Sequence, residues 1–501
     1  MIPVGYTSKT GWSDTVRCRA IGNGWHLGVA TFMILTTLSS GLVDLPDMST
    51  ERPRIQPDPD GPTALDRAAT WFLQSRTHWG PPTNDTQAHC NDSEQTWSDH
   101  WSQAASTGHP GFRILPLDPS HEYALWITSH FGSQIGRWRS QLLEDLMDII
   151  ETQQHDTDLW FSSRPHHVQK AYRQNWPVMT DRSEVPLPPE FTELQFQRPA
   201  FVNIPAMTTL LDKVEFERLS QFKQDCDLGF DLIGDLPPGT GWKQRHDNKY
   251  TDPLELSQFQ TANAEYIQDG LQSRSAGPHS SGMLLEVLSE VDMGRIEGPF
   301  EAPSHWKTRT VGVRSRPDLR LLPCPSNNPL ASVVFPIIQV GSDGKDKVRR
   351  GEDWRRSKHN STVRASDQPH HHNIDSYVNA GRRAKQMFPM SDIHLWGHDH
   401  EGAYRQLPCR QPEHAYMILW TEDGPTLWRH NVLLFGAVGS VWGYNRFGDA
   451  LMNICRSLFG APVIHYVDDF GSAEPDFSAP SSFWTFSFVN QPFTRTPRQA
   501  L

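Results

Sequence analysis

The chain has 501 residues, of which only 37% are hydrophobic, with 39 prolines, 35 glycines and a formal net charge of −12. Its mean hydropathy is −0.56, a profile that fits packed units separated by loosely ordered segments; the acidic balance excludes a generally basic nucleic-acid coat, so any phosphate-gripping face must be local. Six cysteines without a CxxC spacing argue against a zinc ribbon or a disulfide-stapled secreted domain and for reduced thiols in an intracellular protein, nuclear or cytoplasmic.

In chain order, residues 1–45 end in the most apolar stretch, Leu27 to Leu38. It is too short to span a bilayer and has no basic lead, so it reads as a buried helix, and no membrane partner is expected. Residues 46–110, rich in Pro, Asp, Thr, Ser and Gln, read as a disordered linker with a turn or two of helix in TALDRAATWFLQSR. Residues 111–290 are expected to be a helical extension. Trp138 to Thr152 places Leu142, Leu143, Leu146, Ile149 and Ile150 on one face, and Met207 to Phe222 and Leu254 to Gln272 are two further predicted helices. Beyond residue 330 the texture changes. A β-like SVVFPIIQV leads into the basic turn GSDGKDKVRR, followed by a strand-like IHLW, a helix over Trp442 to Phe459 and the apolar strand APVIHYV. The fold class expected is α+β, an antiparallel sheet with helices behind a largely helical extension.

The chemistry concentrates at two strand ends. HYVDDF at 465–470 runs an apolar strand into Asp468 and Asp469, and adjacent carboxylates repel unless a cation neutralises them. Upstream, WGHDHEGAYRQLP at 396–408 puts Asp399 at the end of another β-like stretch. Phosphoryl transfer by two metal ions needs carboxylates from two strands that meet in space, and these three supply that set. Between Asp343 and Arg364 eight Lys or Arg face four Asp or Glu, a basic patch in an acidic chain and suited to phosphate. Two other features are set aside. His370, His371 and His372 read as a solvated turn, and GTGWKQRHDNKY at 239–250 lacks the strand–helix context of a phosphate loop.

The two aspartate segments resemble palm motifs A and C of reverse transcriptases. The resemblance implies that Asp399, Asp468 and Asp469 are the catalytic, metal-binding carboxylates for two Mg2+ ions, with Mn2+ as a substitute. Tyr404 falls where that family carries its steric-gate aromatic, and Tyr466 where a residue touches the template–primer. LLFGAVGSVWGYNRFGDAL at 433–451 resembles motif B, with Phe435 and Gly436 lining the dNTP pocket; relatives usually have Pro where this chain has Leu434. GKDKVRRGEDWRRSKHNSTV at 344–363 resembles the fingers strands that clamp the triphosphate, which assigns Arg349 and Lys345 or Lys347 to the dNTP and Arg355 to the template–primer. GRIEGPFEAP, GFDLIG and HDHEGAYRQLP are similar to segments of DIRS-like and related protist retroelements. The likeness covers about 200–493 and is strongest over 345–471. RNA-dependent RNA polymerases, with GDD at the hairpin and a second Asp in motif A, fit less well.

The division that follows is fingers at 291–395, palm at 396–493 and a tail at 494–501, in which TRTPRQAL replaces the strand expected after the palm. The chain thus reads as truncated before the thumb. GYTSKTGWSDTVRCRAIGNGWHLGVATFMI at 5–34 resembles the closing motifs of cytosine-5 DNA methyltransferases, with Asn23 and Trp25 as relics of the cofactor pocket and the catalytic motifs absent. The function implied is RNA-directed DNA polymerase activity of a retroelement, with an RNA or DNA template–primer and dNTPs as partners. The alternatives are a catalytically silent remnant that at most binds nucleic acid, and a fragment of a methyltransferase fusion.

Overall fold

A computed structural model of the chain describes residues 62–79, 117–173, 185–194, 200–307, 320–340, 346–400, 402–493 and 498–500. The fold is α+β. Before the sheets come α1 (Ala64–Trp79), α2 (Pro119–Phe131), α3 (Ile135–Thr152), α4 (Gln154–Ser162), α5 (His166–Tyr172), α6 (Ile204–Lys213) and α7 (Leu219–Leu228). α3 forms where the apolar spacing predicts it, with Leu142, Leu143 and Leu146 buried. The helix expected over Met207 to Phe222 is instead two, α6 and α7. The chain breaks at Glu215, which takes φ 50, and the turn buries Val214 and Phe216.

α1 is longer than the turn or two of helix expected in TALDRAATWFLQSR. Leu65, Ala68, Ala69 and Phe72 share one helical face and are buried in the same core as Ile127, Leu142, Met207, Ile454 and Leu458. A 16-residue amphipathic helix seated on a neighbour is stable where an isolated one would be marginal. The rest of 46–110, and all of 1–45, lie outside the described residues.

Two sheets follow. One has five strands in the order β2 (Ile296–Phe300), β8 (Gly424–His430), β7 (Tyr416–Thr421), β3 (Ala331–Val340), β4 (Asp346–Glu352). Its pairs are antiparallel except β3 with β7. α8 (Leu256–Ser273) covers one face through Ile267 and Leu271, and α9 (Ser280–Asp292) covers the other through Met283, Leu284 and Val287. The segment expected as a basic turn is in its second half strand β4, paired residue by residue with β3. The boundary expected at 395/396 falls within β6 (Ile393–Asp399), and β7 and β8 complete the sheet of β2, β3 and β4.

The second sheet runs β11 (Arg498–Ala500), β6 (Ile393–Asp399), β10 (Asp469–Pro475), β9 (Ile464–Tyr466). β11 is a further correction: the tail supplies an edge strand, with Arg498 in register with Asp399. α10 (Ile374–Met387) lies on one face, Ala380 and Ala384 packing with Ile393, Ile464 and Ala473. α11 (Val438–Phe459) and α12 (Ala479–Asn490) lie deeper in the main core. α12 is buried on every side, its Phe483, Trp484, Phe486, Phe488 and Val489 interleaved with small Ser and Thr side chains. A two-stranded ribbon joins β1 (Lys243–Gln244) to β5 (Asp367–Gln368). Among the described residues no helix is long and apolar enough to cross a membrane.

Candidate active site

Strand pairing brings the three aspartates to one end of the second sheet. In the antiparallel register of β6 with β10, Asp469 stands opposite Asp399. Asp468 occupies the turn between β9 and β10, and its carbonyl accepts from the His400 amide at 2.9 Å. The turn is tight, Tyr466 pairing with Asp469 across it, and Val467 takes φ 55. A positive φ at the first central residue matches the twist of a two-residue hairpin, but it is a sparsely populated conformation for a β-branched side chain.

The electrostatics of this corner are those of crowded like charges. The Asp469 carboxyl keeps solvent access at its edge, yet its pKa is pushed up to about 7. Withdrawal of water at the strand ends contributes most, followed by repulsion from Asp468 and Asp399. Burial also raises Asp468, against the through-space pull of His465 and Arg349. Among the described residues no three His, Cys, Asp or Glu side chains stand close enough to hold a metal ion together. The register makes the three carboxylates neighbours without making them a closed cage.

Aromatic rings wall the site. Tyr404 meets Phe435 edge-on at 5.2 Å and Tyr444 at 5.5 Å; Tyr444 in turn bonds its hydroxyl to His400 Nδ1 at 2.8 Å. Burial and then the Asp468 charge raise the Tyr404 hydroxyl above its ordinary pKa, keeping it a phenol. Phe435 is 51% exposed, an aromatic face left open beside Tyr404. Tyr466, also exposed, stacks edge-on with His371 at 5.6 Å. The histidine run is not wholly a solvated turn: His370 and His371 are exposed, but His372 is buried, its Nδ1 donating to the His465 carbonyl at 3.0 Å.

Gly436 has φ 96, and a Cβ there would stand 2.9 Å from the Glu352 carbonyl oxygen. Only glycine allows β4 and this turn to approach so closely. Leu434 uses an amide that a proline at this position would lack: it donates to Ser440 Oγ at 3.0 Å. Asn360 clamps the same turn, donating to the Gly436 carbonyl at 2.9 Å and accepting from the Val438 amide at 3.0 Å. Asn360 lies in the DWRRSKHN segment, but a lone polar residue gives no sequence signal for a contact 76 residues away.

The basic strand divides by alternation. Arg349 is exposed and acts on Asp468, whereas Arg350 turns to the opposite face and pairs with Glu290 at 2.6 Å. Lys347 lies in the same strand, in register with Gln339. Arg355 stands exposed on the turn after β4. Lys345, Asn23 and Trp25 lie outside the described residues.

Sequence reading missed the buried charge cluster beneath. Glu290 of α9 receives Arg405 through two bonds of 2.8 Å, and Arg405 also donates to the Leu433 carbonyl at 2.9 Å. The cluster therefore joins α9, β4, the Tyr404 turn and the backbone before Phe435. No protein-family model matches the chain, and no curated protein matches it.

Proposed function

We propose that the chain is the fingers and palm of a reverse transcriptase and extends a primer with dNTPs. One observation carries this reading: β6, β9 and β10 gather Asp399, Asp468 and Asp469 at one sheet end, where burial, and then repulsion from Asp468 and Asp399, pushes the Asp469 pKa up to about 7. Carboxylates that repel one another are a donor set that divalent cations relieve. Their donor chemistry suits Mg2+, or Mn2+ in its place, which would draw Asp399 and Asp468 together with Asp469 as companion. Bound there, two ions would activate a primer 3′-hydroxyl and hold the triphosphate and departing pyrophosphate.

The chain's own residues supply the rest. Arg349 offers a planar, bidentate donor to the triphosphate, and Lys347 adds a point charge. Tyr404, braced by Phe435 and Tyr444, excludes a 2′-hydroxyl by clash, selecting dNTP over rNTP. Tyr466 and Arg355 contact template–primer. The test is extension of oligo(dT) on poly(rA) by purified protein, alongside Asp468→Asn. Mg2+-dependent extension that the substitution abolishes supports the enzyme. No extension at high enzyme and primer concentration contradicts it and leaves the reading of a nucleic-acid-binding remnant.

A further inference from the structure

The segment GTGWKQRHDNKY, without a role so far, starts a chain of hydrogen bonds that ends at the aspartate turn. Trp242 Nε1 donates to Asp449 Oδ2 at 2.6 Å. Asp449 Oδ1 faces His465 Nδ1 at 3.0 Å, and His465 Nε2 meets the Val467 carbonyl at 2.6 Å. A carbonyl and a carboxylate only accept, so the ring faces an acceptor at each nitrogen.

Two further observations show that this ring has a built seat. Gly448 on α11 leaves the room: a Cβ there would stand 2.3 Å from His465 Cε1 and Nε2. Phe470 stacks on the other side, ring centroids 4.5 Å apart and 14° from parallel. The bond from His465 ends at the one residue of the turn whose backbone needs holding, Val467 at φ 55. A β-branched residue persists in that region only where its surroundings over-determine it. If Val467 relaxed to a negative φ, the turn would open and the carboxylates of Asp468 and Asp469 would be redirected.

We propose that His465, locked in the Gly448 notch by Asp449 and Trp242, is a positioning residue that holds the Val467 turn and so aims Asp468 and Asp469. The inference rests on the polymerase reading for its consequence, though not for its geometry. His465 touches no substrate; it acts through the backbone of the turn.

The experiment compares the full chain with His465→Phe, Val467→Gly and the double variant. Phenylalanine keeps the stacked ring but loses both bonds, and glycine takes φ 55 without strain. Mn2+ affinity, read by electron paramagnetic resonance, should fall about tenfold in His465→Phe, as for other residues that orient metal ligands, and return to near the wild-type value in the double variant. Urea unfolding without metal should show the two substitutions coupled by about tenfold in the unfolding constant. His465→Gln, which retains a donor toward Val467, should lose less Mn2+ affinity, and it serves if the phenylalanine variant fails to fold. Wild-type Mn2+ affinity in His465→Phe, or a folded double variant that is not rescued, overturns the proposal. If the wild type itself neither binds Mn2+ nor extends a primer, the polymerase reading has failed. The unfolding cycle then decides alone: coupling supports the holding role, and additivity sinks it.

Discussion

Two groups of charges lie near one another in this molecule and are treated in opposite ways. Beneath the Tyr404 turn, Glu290 and Glu352 are buried among Arg350, Arg405, Arg295 and His430. Burial opposes ionisation of Glu290, but Arg405 and Arg350 outweigh it and hold the carboxyl well below the usual range. At the sheet end three carboxylates gather, and the cations tempering Asp468 and Asp469 act through space from Arg349 and His465. The first group is complete and holds segments together. The second is short of positive charge, as a site that takes cations would be.

The sharpest way to break this comparison is to remove one charge from each group. Asp468→Asn should cut primer extension on the order of a hundred- to a thousandfold while leaving urea stability unchanged or slightly higher, because a repelling charge is lost. Arg405→Met should destabilise the fold by about 3–5 kcal/mol, since it leaves Glu290 buried and underpaired. If Arg405→Met unfolds like wild type, the cluster is not the anchor described. Next in size, Gly436→Ala should cost about 1–3 kcal/mol through its positive φ, with a further loss from the contact with Glu352, again read by urea unfolding.

The smallest effect is one of pH, and its sign separates the two groups. Asp469 is raised in the folded state, so the fold binds more protons than the unfolded chain between about pH 4 and about 7. Its contribution is therefore fully present below that window and is lost as pH rises through it. Glu290 is depressed, so its contribution is present above the ordinary carboxylate range and is lost as pH falls below it. Stability curves in EDTA for wild type and Asp469→Asn should differ only in the upper window, and Mg2+ should flatten the wild-type decline. An identical decline in Asp469→Asn would assign it to another group.

Much of the geometry of the candidate site was legible in the sequence because its signals are local. A strand running into Asp468 and Asp469, a second ending at Asp399, and a Gly436 turn before a helix each occupy a few consecutive residues. The helices with sustained apolar spacing, α3 and α8, were legible for the same reason. What escaped was long-range or lacked a breaker residue. Glu290 finds Arg405 115 positions away, Asn360 reaches Gly436 across 76, and neither pair has a periodic trace. The split between α6 and α7 falls at Glu215 without Gly or Pro to announce it. α1 had its apolar face in view, but its polar surroundings gave no hint of the core that covers it.

The most direct test of the central claim is a Mn2+ titration of the full chain at pH 8, followed by electron paramagnetic resonance with dNTP present. Two ions per chain are expected in the wild type, with binding lost or strongly weakened in Asp399→Asn and in Asp468→Asn. Equal Mn2+ binding by wild type and both variants would contradict the claim that these aspartates form the metal site.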